Sequence, residues 1–344
     1  MKSNFFNILK DNRNIKNIVI LVLMVFLCLA GLIISLENGA VKLSPQEIFR
    51  AIFVEKDTTN HQVIWNVRLP RALTGALVGI CLSLSGVILQ GVMGNPLASP
   101  GILGISSGAG LAAFIIFILF PNLYFIAPIA AFLGALGTAA VVYLLAWDGG
   151  LQPLRLILSG VAVSSILSGG INALMIFYPE RAIGVYGFMV GGLSAKTWHH
   201  FKMILPYAFL GSIFSLLLAK KLNILLLGDE TAISLGLRVE KVKFIFIILS
   251  ALLAASAVSV AGLLSFVGLI VPHIARLLTG GADHKYLLPA SILLGAFTVM
   301  ICDTIGRVII SPVEIPVGII MSTLGAPFFL YLLAMGRSRR GGKK

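Results

Sequence analysis

Charge is the scarcest property of this sequence. Only 11% of its 344 residues are charged, against about 25% in a typical globular protein, and the stretch from Ala72 to Trp147 contains neither a charged residue nor a histidine. A soluble domain cannot cover its surface with such a stretch, whereas a bilayer requires about 20 apolar residues for each crossing helix. The composition therefore excludes a soluble enzyme and predicts an all-α, polytopic membrane protein.

Reactive and metal-binding groups are also scarce. Cys28, Cys81 and Cys302 each lie inside an apolar run, which predicts neither a disulfide framework nor a zinc knuckle. The adjacent His199 and His200 diverge by about 100° on a helix, so shared metal ligation is disfavoured. The sequence also has no G-x-x-x-x-G-K-S/T phosphate loop. We therefore expect no cofactor, no resident metal and no catalysis of ATP hydrolysis by the chain itself.

Charge-free windows separated by turn-forming residues predict the membrane spans. Eight such windows each fit a single span. A ninth apolar run, Phe244–Thr279, fits either one long helix or two shorter helices broken near Gly262 and Gly268. Two helices give ten crossings and place both basic termini on the same side, as the positive-inside rule prefers. We therefore expect ten spans. The other eight are predicted near residues 18–36, 72–92, 101–120, 123–146, 156–177, 201–219, 286–302 and 315–335.

This count predicts a single transmembrane domain over residues 18–335. A cytoplasmic tail (1–17) precedes it, a basic cytoplasmic tail (336–344) follows it, and a cytoplasmic element (222–243) interrupts it. Most of the 26 Lys and Arg residues then lie on the cytoplasmic side. The net charge of +13 is thereby explained by orientation in the membrane rather than by a nucleic-acid partner.

Small residues are patterned within the predicted second span. Gly75, Gly79 and Ser83 lie four residues apart on one helix face. Such spacing is typical of close helix packing in membranes, with the lining of a transport pathway as the alternative. The sequence also contains a weak internal repeat, of a kind that is common in transporters. The repeat aligns Ser83, Gly86 and Pro96 with Ser259, Gly262 and Pro272.

The spans contain no deeply placed carboxylate. A proton- or sodium-coupled carrier needs such a group or an ion site at a broken helix, so secondary transport is disfavoured.

Two polar segments stand out instead. In the run GDETAISLGL (228–237), Asp229 or Thr231 is expected to cap a short helix that Gly236 ends. At the other side of the membrane, Arg68, Arg71 and Arg307 fit either interfacial anchors or an exposed basic rim that docks an acidic partner.

The run RLPRALTGALVGICLSLSGVILQGVMGNPLASPGILGISSGAG (68–110) resembles the FecCD/BtuC-like family of ABC-importer permeases for ferric siderophores, haem and cobalamin. Segments 228–237, 261–278 and 315–333 resemble the same family, and the resemblance extends over about residues 18–335. It implies a BtuC-like fold of ten spans in a bacterial plasma membrane, with both termini cytoplasmic. It also implies three partners: a cytoplasmic ABC ATPase dimer, an extracytoplasmic substrate-binding protein, and a second permease subunit, either identical or paralogous.

The resemblance also implies roles for individual residues. Docking of the binding protein is expected at Arg68, Arg71 and Arg307. Coupling to the ATPase is expected at Asp229, Glu230, Thr231, Ala232, Leu235 and Gly236. Helix packing or pathway lining is expected at Gly75, Gly79, Ser83, Gln90, Asn95 and Pro96. The expected cargo is a ferric siderophore, with haem or cobalamin as alternatives and an ion-coupled secondary carrier as the rival mechanism.

Overall fold

The computed structural model of the protein describes the backbone of residues 2–39, 42–54, 58–182 and 185–341, and side chains between residues 14 and 331. These ranges are helical apart from their turns and one isolated bridge between Trp147 and Leu151. The α-helices are α1 (Lys2–Glu37), α2 (Pro45–Phe53), α3 (Thr59–Gln62), α4 (Leu69–Val92), α5 (Ile105–Leu119), α6 (Ala127–Ala146), α7 (Pro153–Phe177), α8 (Pro179–Ala182), α9 (Tyr186–Val190), α10 (Trp198–Leu217), α11 (Ala219–Leu225), α12 (Asp229–Ser234), α13 (Val239–Ala261), α14 (Val267–Thr279), α15 (His284–Val308) and α16 (Val317–Gly341).

Ten of the described segments are strongly apolar, which agrees with the predicted number of spans. Seven are long and apolar enough to cross a membrane, and three shorter apolar helices accompany them, α5, α14 and the Val317–Tyr331 part of α16. Helix α1 is continuous from Lys2 through the first span, so the predicted tail 1–17 and that span belong to one helix; the cytoplasmic location of the tail stays a prediction. The basic side chains of the tail 336–344 lie outside the described residues.

The ambiguous run Phe244–Thr279 forms two helices, as the orientation argument required. Helix α13 ends at Ala261 and α14 begins at Val267. Gly262 has a φ of +74°, and its Cα lies so close to the carbonyl oxygen of Phe188 that a Cβ would overlap it. Phe266 also has a positive φ, +67°, which is uncommon for a bulky residue. The break is therefore imposed by local geometry as well as by packing.

The start of the second span was predicted too late. Helical structure there runs without interruption from Thr59 through a π-helical turn (Val63–Arg68) into α4. The prediction began after Arg71 because it assumed that charged residues lie outside a span. In the structure Arg68 and Arg71 are buried against other helices, so they belong to the helical bundle.

Helix α4 lies at the centre of the bundle, packed against α10, α13, α14 and α15. Its backbone touches two of these neighbours directly. A Cβ on Gly79 would overlap the carbonyl oxygen of Gly295 in α15, and a Cβ on Gly86 would overlap that of Gly268 in α14. Glycine at these positions allows the close helix approach that membrane proteins use in place of a hydrophobic driving force.

The predicted internal repeat is wrong at the level of local structure. Gly86 is a helical residue inside α4, whereas its counterpart Gly262 ends α13 with a positive φ. Pro96 lies in the turn after α4, whereas Pro272 lies inside α14. The matches came from biased composition, in which small residues and proline recur for different structural reasons.

Candidate functional sites at the two ends of the bundle

The polar segments lie at opposite ends of the bundle. The arginine end is where α1 finishes, α4 begins and α15 finishes, and it holds Arg68, Arg71 and Arg307. The α12 end is where α4 finishes, since Gly91 near the end of α4 packs against Leu222 of α11. Helix α12 follows α11 there and leads into α13.

Arg71 is the centre of an ion-pair network at the arginine end. Its Nε and Nη2 donate to the two carboxylate oxygens of Asp303, each at 2.9 Å, and its Nη1 donates to Glu314 at 2.9 and 3.1 Å. Asp303 also pairs with Arg307 one helical turn later, at 3.2 Å from Nε to Oδ2. Ser194 donates a further hydrogen bond to Glu314 at 2.9 Å. The network thereby joins α4, α15 and two loops.

Arg68 and Arg307 also cap the end of α1. Arg68 Nη1 donates to the carbonyl oxygens of Leu36 and Glu37, and Arg307 donates to those of Ser35 and Asn38. The last carbonyls of a helix have no partner within it and carry a partial negative charge. Two guanidinium groups therefore satisfy the terminus of α1 and tie it to α4 and α15.

The expectation of an exposed basic rim is wrong for these three arginines. Arg68 is 6% exposed, and Arg71 and Arg307 are each 8% exposed. Their guanidinium groups bind carboxylates and carbonyl oxygens of this chain. These partners come from distant parts of the sequence, so the pattern of nearby residues did not reveal them. Docking of a binding protein by these side chains stays a prediction.

Glu314 is the most exposed charged group of this network, since 42% of its side chain is exposed. Partial burial alone would raise its pKa. The hydrogen bond and the charge of Arg71, the hydrogen bond from Ser194 and the charge of Arg307 outweigh that effect, so the pKa lies below its ordinary value.

Helix α12 is a short helix outside the apolar bundle. Gly228 is its N-cap and makes no side-chain capping bond, so the predicted capping by Asp229 or Thr231 is wrong. Gly236 does end the helix, with a φ of +80°. The Gly236 N–H donates to the carbonyl of Ile233 and the Leu237 N–H to that of Ala232, the two bonds of a Schellman motif.

The side chains of α12 divide into a buried and an exposed set. Ala232 is fully buried, while Ile233 is 62% and Leu235 60% exposed, next to the exposed Asp229 and Glu230. Asp229 Oδ2 pairs with Lys243 Nζ of α13 at 2.5 Å. Lys243 had not been predicted as a site residue; no local pattern links residues 229 and 243, which lie on different helices.

The residues predicted for packing or pathway lining occupy two environments. Gly79 and Ser83 lie at the α4–α15 contact, where Ser83 Oγ donates to the carbonyl of Ser291 at 2.8 Å, and Gly75 faces Leu193 and Val299. Gln90, Asn95 and Pro96 lie towards the α12 end. Gln90 accepts a hydrogen bond from Arg276 at 2.9 Å, Asn95 holds the turn through a bond from the Leu97 N–H, and Pro96 lines a cavity of about 180 Å³ with Arg276 and His284.

A second cavity, of about 250 Å³, lies near the break between α13 and α14. Leu82 of α4, Ser106 of α5, Val258 of α13 and Gly268 of α14 are among its lining residues. By contrast, Ser165, Ser168 and Asn172 form an exposed polar stripe along a face of α7 that the described chain does not cover. Within the described residues, no group of three or more His, Cys, Asp or Glu side chains could hold a metal ion.

Comparisons with known proteins agree over almost the whole chain. The chain is 39% identical to the Fe(3+)-citrate import system permease protein YfmE of Bacillus subtilis (strain 168), over 92% of this chain and 94% of that protein. It is 36% identical to the hemin transport system permease protein HmuU of Yersinia pestis, over 94% and 96% of the two chains. A solved structure described as a metal-chelate type ABC transporter in an inward-facing conformation aligns with a TM-score of 0.82 at 33% identity, covering 92% of this chain and 99% of the other. Residues 26–335 match the FecCD transport family, and the chain belongs to that family.

Proposed function

We propose that this protein is the membrane-spanning permease subunit of an ABC importer that moves a ferric chelate inward, with a ferric siderophore as the first candidate. The observation that carries the proposal is the family match over residues 26–335, together with relatives that import ferric citrate and haemin. The chain is not itself an enzyme in this proposal, since energy enters through ATP hydrolysis by a separate subunit.

The α12 end supports an ATPase partner. Ile233 and Leu235 expose most of their side chains outside the apolar bundle, where the described chain does not cover them. Exposed apolar side chains beside acidic ones are typical of a protein–protein contact. The GDETAISLGL segment therefore docks a cytoplasmic ATPase dimer, one ATPase subunit for each permease.

The exposed stripe on α7 supports a second permease subunit. Asn172 and Ser168 would face hydrocarbon if the chain worked alone, and polar groups in hydrocarbon are costly without a partner. The internal cavity of about 250 Å³ is also small for a chelate, since ligand sites for drug-sized molecules hold about 300–1,000 Å³. The pathway thus runs between two permease subunits, identical or paralogous, and not through one.

The arginine end faces the outside and receives the substrate-binding protein. An even number of crossings puts both termini on one side of the membrane, and the positive-inside rule favours the cytoplasm of a bacterial cell for that side, which is also the side of α12. Docking through Arg68, Arg71 and Arg307 requires these side chains to break part of their hydrogen bonding within the chain. They would then form ion pairs with carboxylates of the binding protein. Haem is the second candidate cargo, because one relative of similar identity is a hemin permease.

Uptake by intact cells tests the proposal. A strain lacking this gene is grown under iron limitation and given ⁵⁵Fe-labelled hydroxamate, catecholate and citrate chelates, and separately haemin. We expect the loss of uptake of one ferric chelate, restored by the wild-type gene and by Ser234→Ala but not by Leu235→Glu, which places a charge on the ATPase contact.

Other results would identify a different function. Loss of haemin uptake alone would favour the haem alternative. Uptake that survives ATP depletion but stops when ion gradients collapse would contradict the proposal in favour of a secondary carrier. Unchanged uptake of every probe would contradict both.

A further inference from the structure

Lys243 is a buried cation whose partner lies on another helix. Its side chain is 4% exposed, whereas that of Asp229, 2.5 Å away, is 53% exposed. A buried ammonium group is tolerated when it is paired, because an unpaired charge away from water is costly. The ion pair therefore ties the exposed helix α12 to the first turns of α13.

The pair adds a directional contact between α12 and α13 to the neighbouring apolar one. Ala232 also packs inward from α12, but a methyl contact has no preferred direction. An ion pair sets the distance between two particular atoms. Glu240, one turn before Lys243, accepts a bond from the Leu151 N–H at 3.0 Å, so this part of α13 is also fixed to the turn before α7.

Helix α13 runs from that pair to the middle of the bundle. It is unbroken from Val239 to Ala261, and it packs against α4 through a hydrogen bond between the Ser250 and Ser85 hydroxyls at 2.7 Å. Val258 near its far end lines the 250 Å³ cavity, and Gly262 ends the helix against Phe188. One unbroken helix therefore connects Lys243 to the cavity wall.

We propose that Lys243 is a positioning residue for coupling: through its ion pair with Asp229 it makes α13 follow α12, so that movement of the ATPase reaches the cavity wall. The inference rests on the proposed function, since it requires an ATPase bound at α12. Lys243 touches neither the nucleotide nor the cargo. Its role is to transmit displacement.

Reconstitution into proteoliposomes with the ATPase and binding protein tests this role. The variants are Lys243→Met, the double variant Asp229→Asn/Lys243→Met, and the charge exchange Asp229→Lys/Lys243→Asp. Lys243→Met removes the buried charge and leaves only Asp229, whose side chain is 53% exposed, so no unpaired buried ion remains and the variant should keep its fold. Melting temperature, ATPase co-purification, ATP hydrolysis and ferric chelate uptake are measured for each.

We expect Lys243→Met to retain its ATPase and its basal ATP hydrolysis, because the Lys243 side chain is buried and lies outside the ATPase contact. Chelate taken up per ATP hydrolysed should fall about tenfold, within the range of measured coupling between sites. The charge exchange should recover uptake to within about threefold of the wild type, because it restores the pair. Lys241→Met, which removes an exposed lysine two residues away, should behave as the wild type.

Two results would overturn the inference. If Lys243→Met melts at a lower temperature but keeps the wild-type ratio of chelate to ATP, the pair is only structural. If the charge exchange is no better than the double neutral variant, Asp229 acts by another contact. Wild-type vesicles that show no ATP-driven uptake would instead overturn the proposed function, and this inference with it.

Discussion

The two ends of the bundle treat charged and apolar side chains in opposite ways. At the arginine end, Arg71, Asp303 and Arg307 are buried and paired with one another, and Glu314 supplies the second negative charge. At the α12 end, Ile233 and Leu235 are exposed although they are apolar. The difference shows that charge in this chain marks where helices are joined, whereas exposed apolar surface outside the bundle marks where a partner is expected.

Removal of the Asp303 carboxylate is the most disruptive test of this contrast. Asp303→Asn leaves Arg307 without its carboxylate partner and Arg71 with Glu314 alone. Breaking a buried ion pair from one side costs about 3–5 kcal/mol. We expect a loss of this size in the free energy of unfolding, measured by denaturant titration in mixed micelles.

Asp148 provides the matched control, because it forms an ion pair with Arg155 in which both side chains are about half exposed. Exposed pairs contribute less than about 1 kcal/mol. Equal losses for Asp303→Asn and Asp148→Asn would mean that the arginine end behaves as an ordinary surface.

A smaller effect is expected at the end of α12. Gly236 has a φ of +80°, and a left-handed conformation costs a residue with a Cβ about 1–2 kcal/mol. Gly236→Ala should therefore speed hydrogen exchange of the amides at positions 236 and 237, measured by mass spectrometry.

Gly137→Ala is the control. Gly137 is inside α6, and an added Cβ would have no atom within 4 Å, so alanine should stabilise that helix by about 0.5–1 kcal/mol. Slower exchange in Gly236→Ala would contradict the Schellman assignment.

The architecture was accessible from the sequence because it depends on local properties. Charge-free windows found the ten apolar segments, and the positive-inside rule chose two helices over one for Phe244–Thr279. Glycine at position 236 likewise predicted where α12 ends, since the left-handed conformation is a property of that residue.

The burial of the arginines could not be predicted from the sequence in the same way. Arg71 and Asp303 are 232 residues apart, and Arg307 reaches the end of α1 across a similar separation. A single sequence does not state such pairings, so each arginine was assigned to the surface. Lys243 was missed for a related reason, because its partner lies 14 residues earlier on a different helix.

Protonation of Glu314 is the mildest test of the contrast. Its pKa is lowered in the folded chain, so it stabilises the fold above its unfolded pKa, and this contribution is lost as the pH falls through the lower, folded pKa. The free energy of unfolding is measured from pH 6 to pH 3 for the wild type and Glu314→Gln; their difference should shrink towards the acid end. A difference that stays constant with pH would mean that the charge of Glu314 contributes nothing.

Because water reaches Glu314 but hardly reaches Arg71, the effect of Glu314→Gln should be smaller than that of Asp303→Asn and should weaken with added salt. This salt dependence separates the outer edge of the arginine end, which behaves as surface, from the buried pairs beneath it.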